Sequence, residues 1–231
     1  MTSQPKIFCA IDTDDLDRAC ALSAQIAPVT GGIKLGLEFF NNFGPQGVER
    51  VLEACPEAQL FIDLKFHDIP NTVAGAVRGI CNNFAPAYLN VHASGGAEMM
   101  RAAKDACGAD TKLLAVTILT SLDVTAIAEI GYGGVDVAAQ VEKLALLAQQ
   151  SGLDGVVCSA HEITRLRGVC GDDFALMVPG IRPKGSAQGD QKRVMTPIDA
   201  LDAGVTHLVI GRPITGAADP AKAAEEILGT L

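Results

Sequence analysis

The sequence lacks the features that define several large classes of protein. No apolar run in its 231 residues approaches the roughly 18 to 20 residues of a membrane-spanning helix. Positive charge is scarce, with 18 Lys and Arg against 27 Asp and Glu and a formal net charge of −9. Nucleic acids and anionic membranes attract basic surfaces, so we expect neither as a partner. The positive site for any anionic ligand must then be built locally.

Signals for export and for cysteine-based sites are also missing. The first residues, MTSQPKIFCAIDTDD, become acidic where a secretory signal would be basic and then apolar, so we expect a cytoplasmic protein. The seven cysteines include no CxxC pair, and their odd number indicates reduced thiols rather than disulfides or a zinc site. We interpret Cys9, Cys81 and Cys158 as small core residues.

The chain instead contains a regular alternation of strand and helix signals. Eight short apolar runs are each followed by turn residues and by a segment whose apolar residues recur three and four positions apart. This alternation predicts a parallel sheet with crossover helices. Its size fits a single-domain (β/α)8 TIM barrel over residues 1–231, and the absence of a GxGxxG turn disfavours the alternative, an open doubly wound sheet. The predicted strands are 6–12, 32–37, 60–66, 87–93, 113–119, 155–160, 175–180 and 207–212.

Two local signals refine this prediction. Asp219 followed by Pro220 indicates the start of the last helix, with Asp219 as its N-cap. The segment 180–193 is the one long Gly-rich polar insertion, and such loops are typically lids or disordered. We expect a mobile loop at about 183–189.

Charged residues interrupt the predicted strands on one face. Side chains alternate along a strand, so Asp63 and Lys65 share a face opposite the apolar one and are predicted to point into the barrel. The same alternation turns Lys34 inward between two glycines, which we expect to leave room for its ammonium group, and turns Asp12 inward at the end of the first strand. The fourth strand adds an inward set: Tyr88, Asn90 and His92.

This charge cluster favours catalysis over a purely structural role. Opposite charges about 4 Å apart recover on the order of 4 kcal/mol at an effective dielectric constant near 20, so alternating signs make the cluster tolerable. A buried ion network is nevertheless weak evidence for stability. Catalytic residues of TIM barrels lie at the C-terminal ends of strands, which favours a catalytic role for Lys34, Asp63 and Lys65 over a structural salt-bridge network.

Two arginines suggest an anion site. Arg182 follows the seventh predicted strand and Arg212 the eighth, and barrels often bind phosphate through these two loops. Gln191 could add an amide donor. The alternative is that both arginines are ordinary solvated surface residues.

The histidines do not form a recognisable metal motif. His67 and His161 are expected to be structural or surface residues, while His92 is placed inward by its strand phase. No second ligand stands at a metal-binding spacing from His92, so we predict no metal.

Several motifs together resemble a known family. DLKFHDIPNT at 63–72, with NVHASGG, GDQKR and the GIRP and IGRP turns in the expected order, is similar to bacterial orotidine 5′-phosphate decarboxylases. The likeness runs from about residue 7 to residue 220. It implies conversion of orotidine 5′-monophosphate to uridine 5′-monophosphate in pyrimidine synthesis, without cofactor or metal, by a homodimer whose active sites lie at the subunit interface. It also implies that the loop at about 183–189 grips the substrate phosphate.

The resemblance also implies individual roles. Lys65 would protonate C6 of the substrate, Asp63 would lie beside the departing carboxylate, and Lys34 would bond Asp63 and the ribose. Asp68 and Thr72 would reach into the neighbouring subunit's site. Asp12 would contact the ribose and Thr120 the pyrimidine; whether Thr120 or Ser121 contacts the base is left open. The implied phosphate-side group is Arg182, Gln191, Gly211 and Arg212.

Two alternatives remain from the sequence. Related sugar-phosphate decarboxylases and synthases share DxKxxD but use magnesium, with an acidic residue on strand two where this chain has Lys34. The other alternative is a non-catalytic barrel that binds a phosphate ligand and holds its charges for structural reasons.

Overall fold

A computed structural model describes residues 6–134, 136–183 and 195–231. Within these ranges, eight parallel strands close into one barrel in chain order, and the last pairs with the first. The predicted single-domain (β/α)8 barrel is confirmed. Apart from Pro183, the loop predicted at 183–189 lies outside the described residues, as does Gln191. The strands are β1 (Ile7–Ala10), β2 (Gly31–Gly36), β3 (Gln59–Phe66), β4 (Tyr88–His92), β5 (Lys112–Val116), β6 (Gly155–Val157), β7 (Ala175–Val178) and β8 (His207–Ile210).

Helices surround the barrel wherever the apolar spacing predicts them. One differs from the sequence pattern: α2 begins at Leu37 rather than near Gly44, because Gly44 has a φ of 60° and kinks a longer helix. In the described ranges none of them is long and apolar enough to cross a membrane. The helices are α1 (Leu16–Thr30), α2 (Leu37–Ala54), α3 (Pro70–Phe84), α4 (Gly96–Ala106), α5 (Val124–Ile127), α6 (Val137–Gln150), α7 (Ile163–Cys170), α8 (Pro197–Asp202), α9 (Arg212–Thr215) and α10 (Pro220–Leu228).

The two faces of the strands form two separate cores. The outward set, which includes Cys9 and Cys158, packs against the helices. The inward set fills the barrel, and its members are Phe8, Ala10, Phe61, Tyr88, Leu114, Ala175, Met177 and Val209. The predicted alternation is therefore correct for the strands that carry the charged residues. All seven cysteines lie in the described ranges and are reduced thiols.

Aromatic side chains fill the barrel interior toward the N-terminal ends of the strands and form its floor. The rings of Phe8 and Tyr88 meet edge to face with centroids 5.4 Å apart, a favoured arrangement of aromatic pairs. The Tyr88 hydroxyl and the ring of His207 are hydrogen-bonded at 2.7 Å. Tyr88 faces inward as predicted but belongs to this packed floor. The charged side chains that were predicted to point inward lie above this floor, at the C-terminal ends of the strands.

The start of α10 provides a test of the local sequence signals. The Asp219 carboxylate accepts a hydrogen bond from the Lys222 N–H at 3.0 Å, as its N-cap assignment predicts. Asp219→Ala should lower the free energy of unfolding in urea by about 1 kcal/mol, because a helix N–H loses its partner. Asp219→Asn keeps the side-chain oxygen and should change it by less than about 0.5 kcal/mol. Equal losses in the two variants would contradict the capping role.

Candidate active site

Four charged side chains of alternating sign meet at the C-terminal ends of the first three strands. The Lys34 Nζ lies 3.5 Å from an Asp12 oxygen and 3.2 Å from Asp63 Oδ2. The Lys65 Nζ lies 2.6 Å from the other oxygen, Asp63 Oδ1. The order across the barrel mouth is therefore Asp12, Lys34, Asp63, Lys65. These are the residues that strand alternation predicted to point inward.

Gly36 leaves space for this cluster. A Cβ atom there would lie 3.0 Å from the Lys34 Nζ and 3.5 Å from an Asp12 oxygen. Gly32 does not act in the same way: its absent Cβ would lie 2.9 Å from the Phe8 ring. The prediction that both glycines make room for the ammonium group is correct for Gly36 and wrong for Gly32, which makes room for the aromatic floor.

Burial and charge act in opposite directions on the central pair. Burial alone would lower the pKa of Lys34, but the carboxylates of Asp63 and Asp12 outweigh it and raise the pKa above its ordinary value. Burial alone would raise the pKa of Asp63, but Lys34 and Lys65, with hydrogen bonds from Lys65 and Asn90, lower it to about 2. Both groups are therefore ionised at neutral pH, which is the state that an electrostatic catalyst needs.

The cluster forms one wall of a cavity of about 540 Å³. Arg182, Gly211 and Arg212 form a second wall, the arginine wall, which the segments after β7 and β8 supply. Partial burial and the positive charge of Arg212 lower the pKa of Arg182, so the two guanidinium groups lie close enough to repel. An anion placed between them would relieve that repulsion. Further lining residues include Glu38, Phe61, Val116, Ile118, Leu119, Thr120, Val157, Cys158, Pro179 and Gly180.

Not all predicted site residues line this cavity. Asp68 and Thr72 lie at the turn into α3 and are exposed, and the Asp68 carboxylate accepts from the Ile69 N–H at 2.6 Å. Thr120 lines the cavity, whereas its neighbour Ser121 is not among the lining residues. Glu38 is a lining carboxylate that the sequence interpretation missed; its only signal is its place just after β2.

Asn90 is the second residue whose importance the sequence interpretation understated. Its inward direction was predicted, but it was not assigned to the site. The Asn90 side-chain amide donates to Asp63 Oδ1 at 2.7 Å and accepts from the Lys65 N–H at 2.8 Å. It therefore connects two members of the charge cluster through one fully buried side chain.

The histidines near the cluster pair with each other. The rings of His67 and His92 have centroids 5.5 Å apart. Burial, with the nearby His67 and Lys65, lowers the pKa of His92 and favours its neutral form. Over the described ranges, no group of three or more His, Cys, Asp or Glu side chains is placed to hold a metal ion.

Comparison with known proteins identifies the family. The model of the orotidine 5′-phosphate decarboxylase / HUMPS family matches residues 5–227, nearly the whole chain. The chain belongs to this family. Its charge cluster at the mouth of a closed (β/α)8 barrel is thus the candidate active site of a family member.

Relatives and solved structures extend along the full chain. A protein of Rhodospirillum rubrum named orotidine 5′-phosphate decarboxylase is 52% identical and covers 100% of this chain and 95% of its own. One of the same name from Pectobacterium atrosepticum is 49% identical, covering 100% and 93%. The crystal structure of orotidine 5′-phosphate decarboxylase from Lactobacillus acidophilus has a TM-score of 0.85 at 34% identity, covering 98% of each chain.

The ionised state of Asp63 predicts a pH-dependent stability. A carboxyl whose folded-state pKa is lowered contributes stability that is present above its ordinary pKa near 4 and is lost as pH falls through the folded value of about 2. Between pH 4 and 2 the free energy of unfolding should decline about 2 kcal/mol further in the wild type than in Asp63→Asn. Urea unfolding at stepped pH measures the difference. Parallel pH curves for the two proteins would contradict it.

Proposed function

We propose that this protein decarboxylates orotidine 5′-monophosphate to uridine 5′-monophosphate in pyrimidine synthesis, with Lys65 as proton donor and without metal or organic cofactor. The observation that carries the proposal is the ammonium group of Lys65, which faces a cavity and contacts Asp63 at 2.6 Å. The names of full-length relatives at about 50% identity support the substrate. The reduced thiols support a reducing, cytoplasmic setting.

The cavity has the charge distribution that this substrate requires. The phosphate would lie against Arg182, Gly211 and Arg212, and the ring carboxylate would face Asp63 and Lys65 at the other wall. Asp12 and Lys34 would then bind the ribose hydroxyls between the two walls, and Thr120 would contact the pyrimidine edge. Gln191 is proposed on the phosphate side by resemblance alone.

The chemistry explains why a fixed ammonium group is needed. When the bond from C6 to the carboxylate breaks, CO2 leaves and the electron pair stays on C6 in the plane of the ring, where the π system cannot delocalise it. The charge of Lys65 stabilises this carbanion and its proton then moves to C6. The neutral amine left behind regains a proton from solvent.

Asp63 acts on the substrate before the bond breaks. Its carboxylate would lie beside the substrate carboxylate, and this repulsion is relieved when CO2 departs. Binding of the remote phosphate offsets the repulsion in the bound state, so the binding energy of the arginine wall is used at the reacting carbon.

The charges disfavour the magnesium-dependent alternative. Asp63 already contacts two ammonium groups, those of Lys34 at 3.2 Å and Lys65 at 2.6 Å. A divalent cation at this carboxylate would be repelled by both. The position that is acidic in the magnesium enzymes is here Lys34 itself.

Replacement of Lys65 tests the proposal. Lys65→Ala should lower kcat by at least about 10³-fold, because both the charge and the proton donor are lost. Affinity for uridine 5′-monophosphate should change less than about tenfold, since the arginine wall is intact. Loss of the orotate-ring ultraviolet absorbance measures turnover, and Lys222→Ala, on the exposed face of α10, is the matched control.

Two outcomes would contradict the proposal in different ways. No absorbance change with wild-type protein would remove the proposed substrate, and turnover by Lys65→Ala within tenfold of wild type would remove the proposed role of Lys65. Activity abolished by EDTA and restored by magnesium would favour the metal-dependent alternative.

We also propose that the enzyme is a homodimer with shared active sites. Three large apolar side chains are exposed where strands β2, β3 and β5 end, at the same end of the barrel as the cavity: Leu37 by 48%, Ile69 by 67% and Leu119 by 37%. A second copy would cover them. Asp68 and Thr72 flank Ile69, so they would face the partner's cavity.

Subunit mixing tests the shared site. A heterodimer of Lys65→Ala and Asp68→Ala chains holds one site with both residues intact, so mixing the two inactive proteins should restore about one quarter of wild-type activity after random exchange. Mixing Lys65→Ala with Asp63→Asn is the control, because these two residues act from the same chain and no intact site can form. Exchange without recovery in the first mixture would contradict the proposal.

A further inference from the structure

The strand that carries the charge cluster is irregular at the cluster itself. β3 pairs in register with β4 up to Ile62 and again from Phe66. Between these points, three residues of β3 (63–65) lie opposite a single residue of β4, Asn90. Such a bulge interrupts the ladder of backbone hydrogen bonds and turns side chains in new directions.

The Asn90 side chain compensates for the interrupted ladder. Its oxygen accepts from the Lys65 N–H at 2.8 Å, in place of a backbone carbonyl of β4. Lys65 has a φ of 51°, a left-handed conformation that costs a non-glycine residue about 1–2 kcal/mol. The hydrogen bond from the Lys65 N–H to Asn90 holds the Lys65 backbone in this conformation. From there the Lys65 side chain turns back toward Asp63.

The other end of the same amide fixes the carboxylate. The Asn90 NH₂ group donates to Asp63 Oδ1 at 2.7 Å, the oxygen that also contacts the Lys65 Nζ at 2.6 Å. Asn90 is fully buried, so no solvent competes for either bond. The Asn90 side chain thus fixes the position of the Lys65 backbone relative to the Asp63 carboxylate, which the Lys65 ammonium group contacts.

We propose that Asn90 is a positioning residue for the decarboxylation: it orients the Asp63 carboxylate and holds Lys65 in the backbone conformation that delivers its ammonium group to the reacting carbon. This inference rests on the proposed function. An asparagine suits the position because its amide both donates and accepts. Aspartate would keep the acceptor for Lys65, lose the donor to Asp63 and add a negative charge.

Loss of the hydrogen bond from Asn90 should shift the pKa of Asp63 in a definite direction. The groups that face Asp63 are Lys34 from β2, Lys65 from β3, Asp12 beyond β1 and His92 at the end of β4. The hydrogen bond from Asn90 is one of the causes that lower the pKa of Asp63. Its removal should raise that pKa, so activity that needs the ionised carboxylate should be lost at higher pH as the solution is acidified.

Two variants separate this role from a general structural one. In Asn90→Ala, kcat should fall about 10- to 100-fold and the acidic limb of kcat, which reports the substrate complex, should move upward by about 0.5 to 1 pH unit. Affinity for uridine 5′-monophosphate should stay within about threefold, because the arginine wall is untouched. Asn90→Asp should show the larger shift of the limb, since it adds a carboxylate beside Asp63. Asn82→Ala, on the exposed outer surface of α3, is the control.

A second readout does not depend on turnover. The carboxyl ¹³C resonance of Asp63, assigned with Asp63→Asn, should titrate at higher pH in the Asn90 variants than in wild type. If Asn90→Ala does not fold, Asn90→Ser replaces it, because its hydroxyl is too short to bond both partners.

The outcomes distinguish the inference from the function on which it rests. Wild-type protein that does not act on orotidine 5′-monophosphate would refute the proposed function, while the ¹³C titration would still test the effect of Asn90 on Asp63. Active wild type with an unchanged acidic limb and an unchanged Asp63 titration in the variants would refute the positioning role.

Discussion

The contact of one carboxylate with two ammonium groups is the interaction on which the rest of the site depends. Lys34 and Lys65 both enter a small volume at the barrel mouth, and Asp63 lies between them at 3.2 and 2.6 Å. Without it, two positive charges would face each other at a cost on the order of several kcal/mol. With it, each ammonium group has a negative charge in contact. The carboxylate therefore supports both lysines, and in the proposed function it is also the group that faces the substrate carboxylate.

The pairing of the barrel strands places the residues of this contact next to one another. Parallel pairing sets Gly36 beside Asp63, and Lys34 lies two residues before Gly36 on the same face of β2. The inward side chains of Phe8, Phe61 and Tyr88 fill the barrel beneath this contact, and the described cavity lies at the C-terminal ends of the strands. Because β8 pairs with β1, the segments after β7 and β8 lie on the other side of β1 from β2 and β3. The topology thus brings the arginine wall and the charge cluster to the same mouth of the barrel.

The alternation of side chains along single strands predicted which charged residues point into the barrel. It could not predict features that depend on the pairing of two strands. Alternation along single strands was enough to place Asp12, Lys34 and Asp63 inside the barrel. It could not show the bulge, because the three-to-one match of β3 against Asn90 is a property of the pair. The role of Gly32 was predicted wrongly for a similar reason. Its neighbour is Phe8 on β1, whereas the pattern of β2 alone shows only Lys34 nearby. Roles for Asp68 and Thr72 rest on resemblance alone, because both side chains are exposed and neither lines the cavity of its own chain.

The local charge balance explains how an acidic protein can hold an anion. The whole chain carries a formal net charge of −9, yet four cationic side chains and three anionic ones line the cavity. The lining charges of the cavity therefore have a positive balance although the whole chain is negative, which favours an anion there. These charges are also unevenly distributed: Lys34 contacts Asp12 and Asp63, and Lys65 contacts Asp63, whereas Arg182 and Arg212 lie close enough to repel each other. Under the proposed function, the phosphate would lie against the two arginines and the reacting carboxylate would lie beside Asp63. Phosphate binding and reaction would then take place at different parts of one cavity.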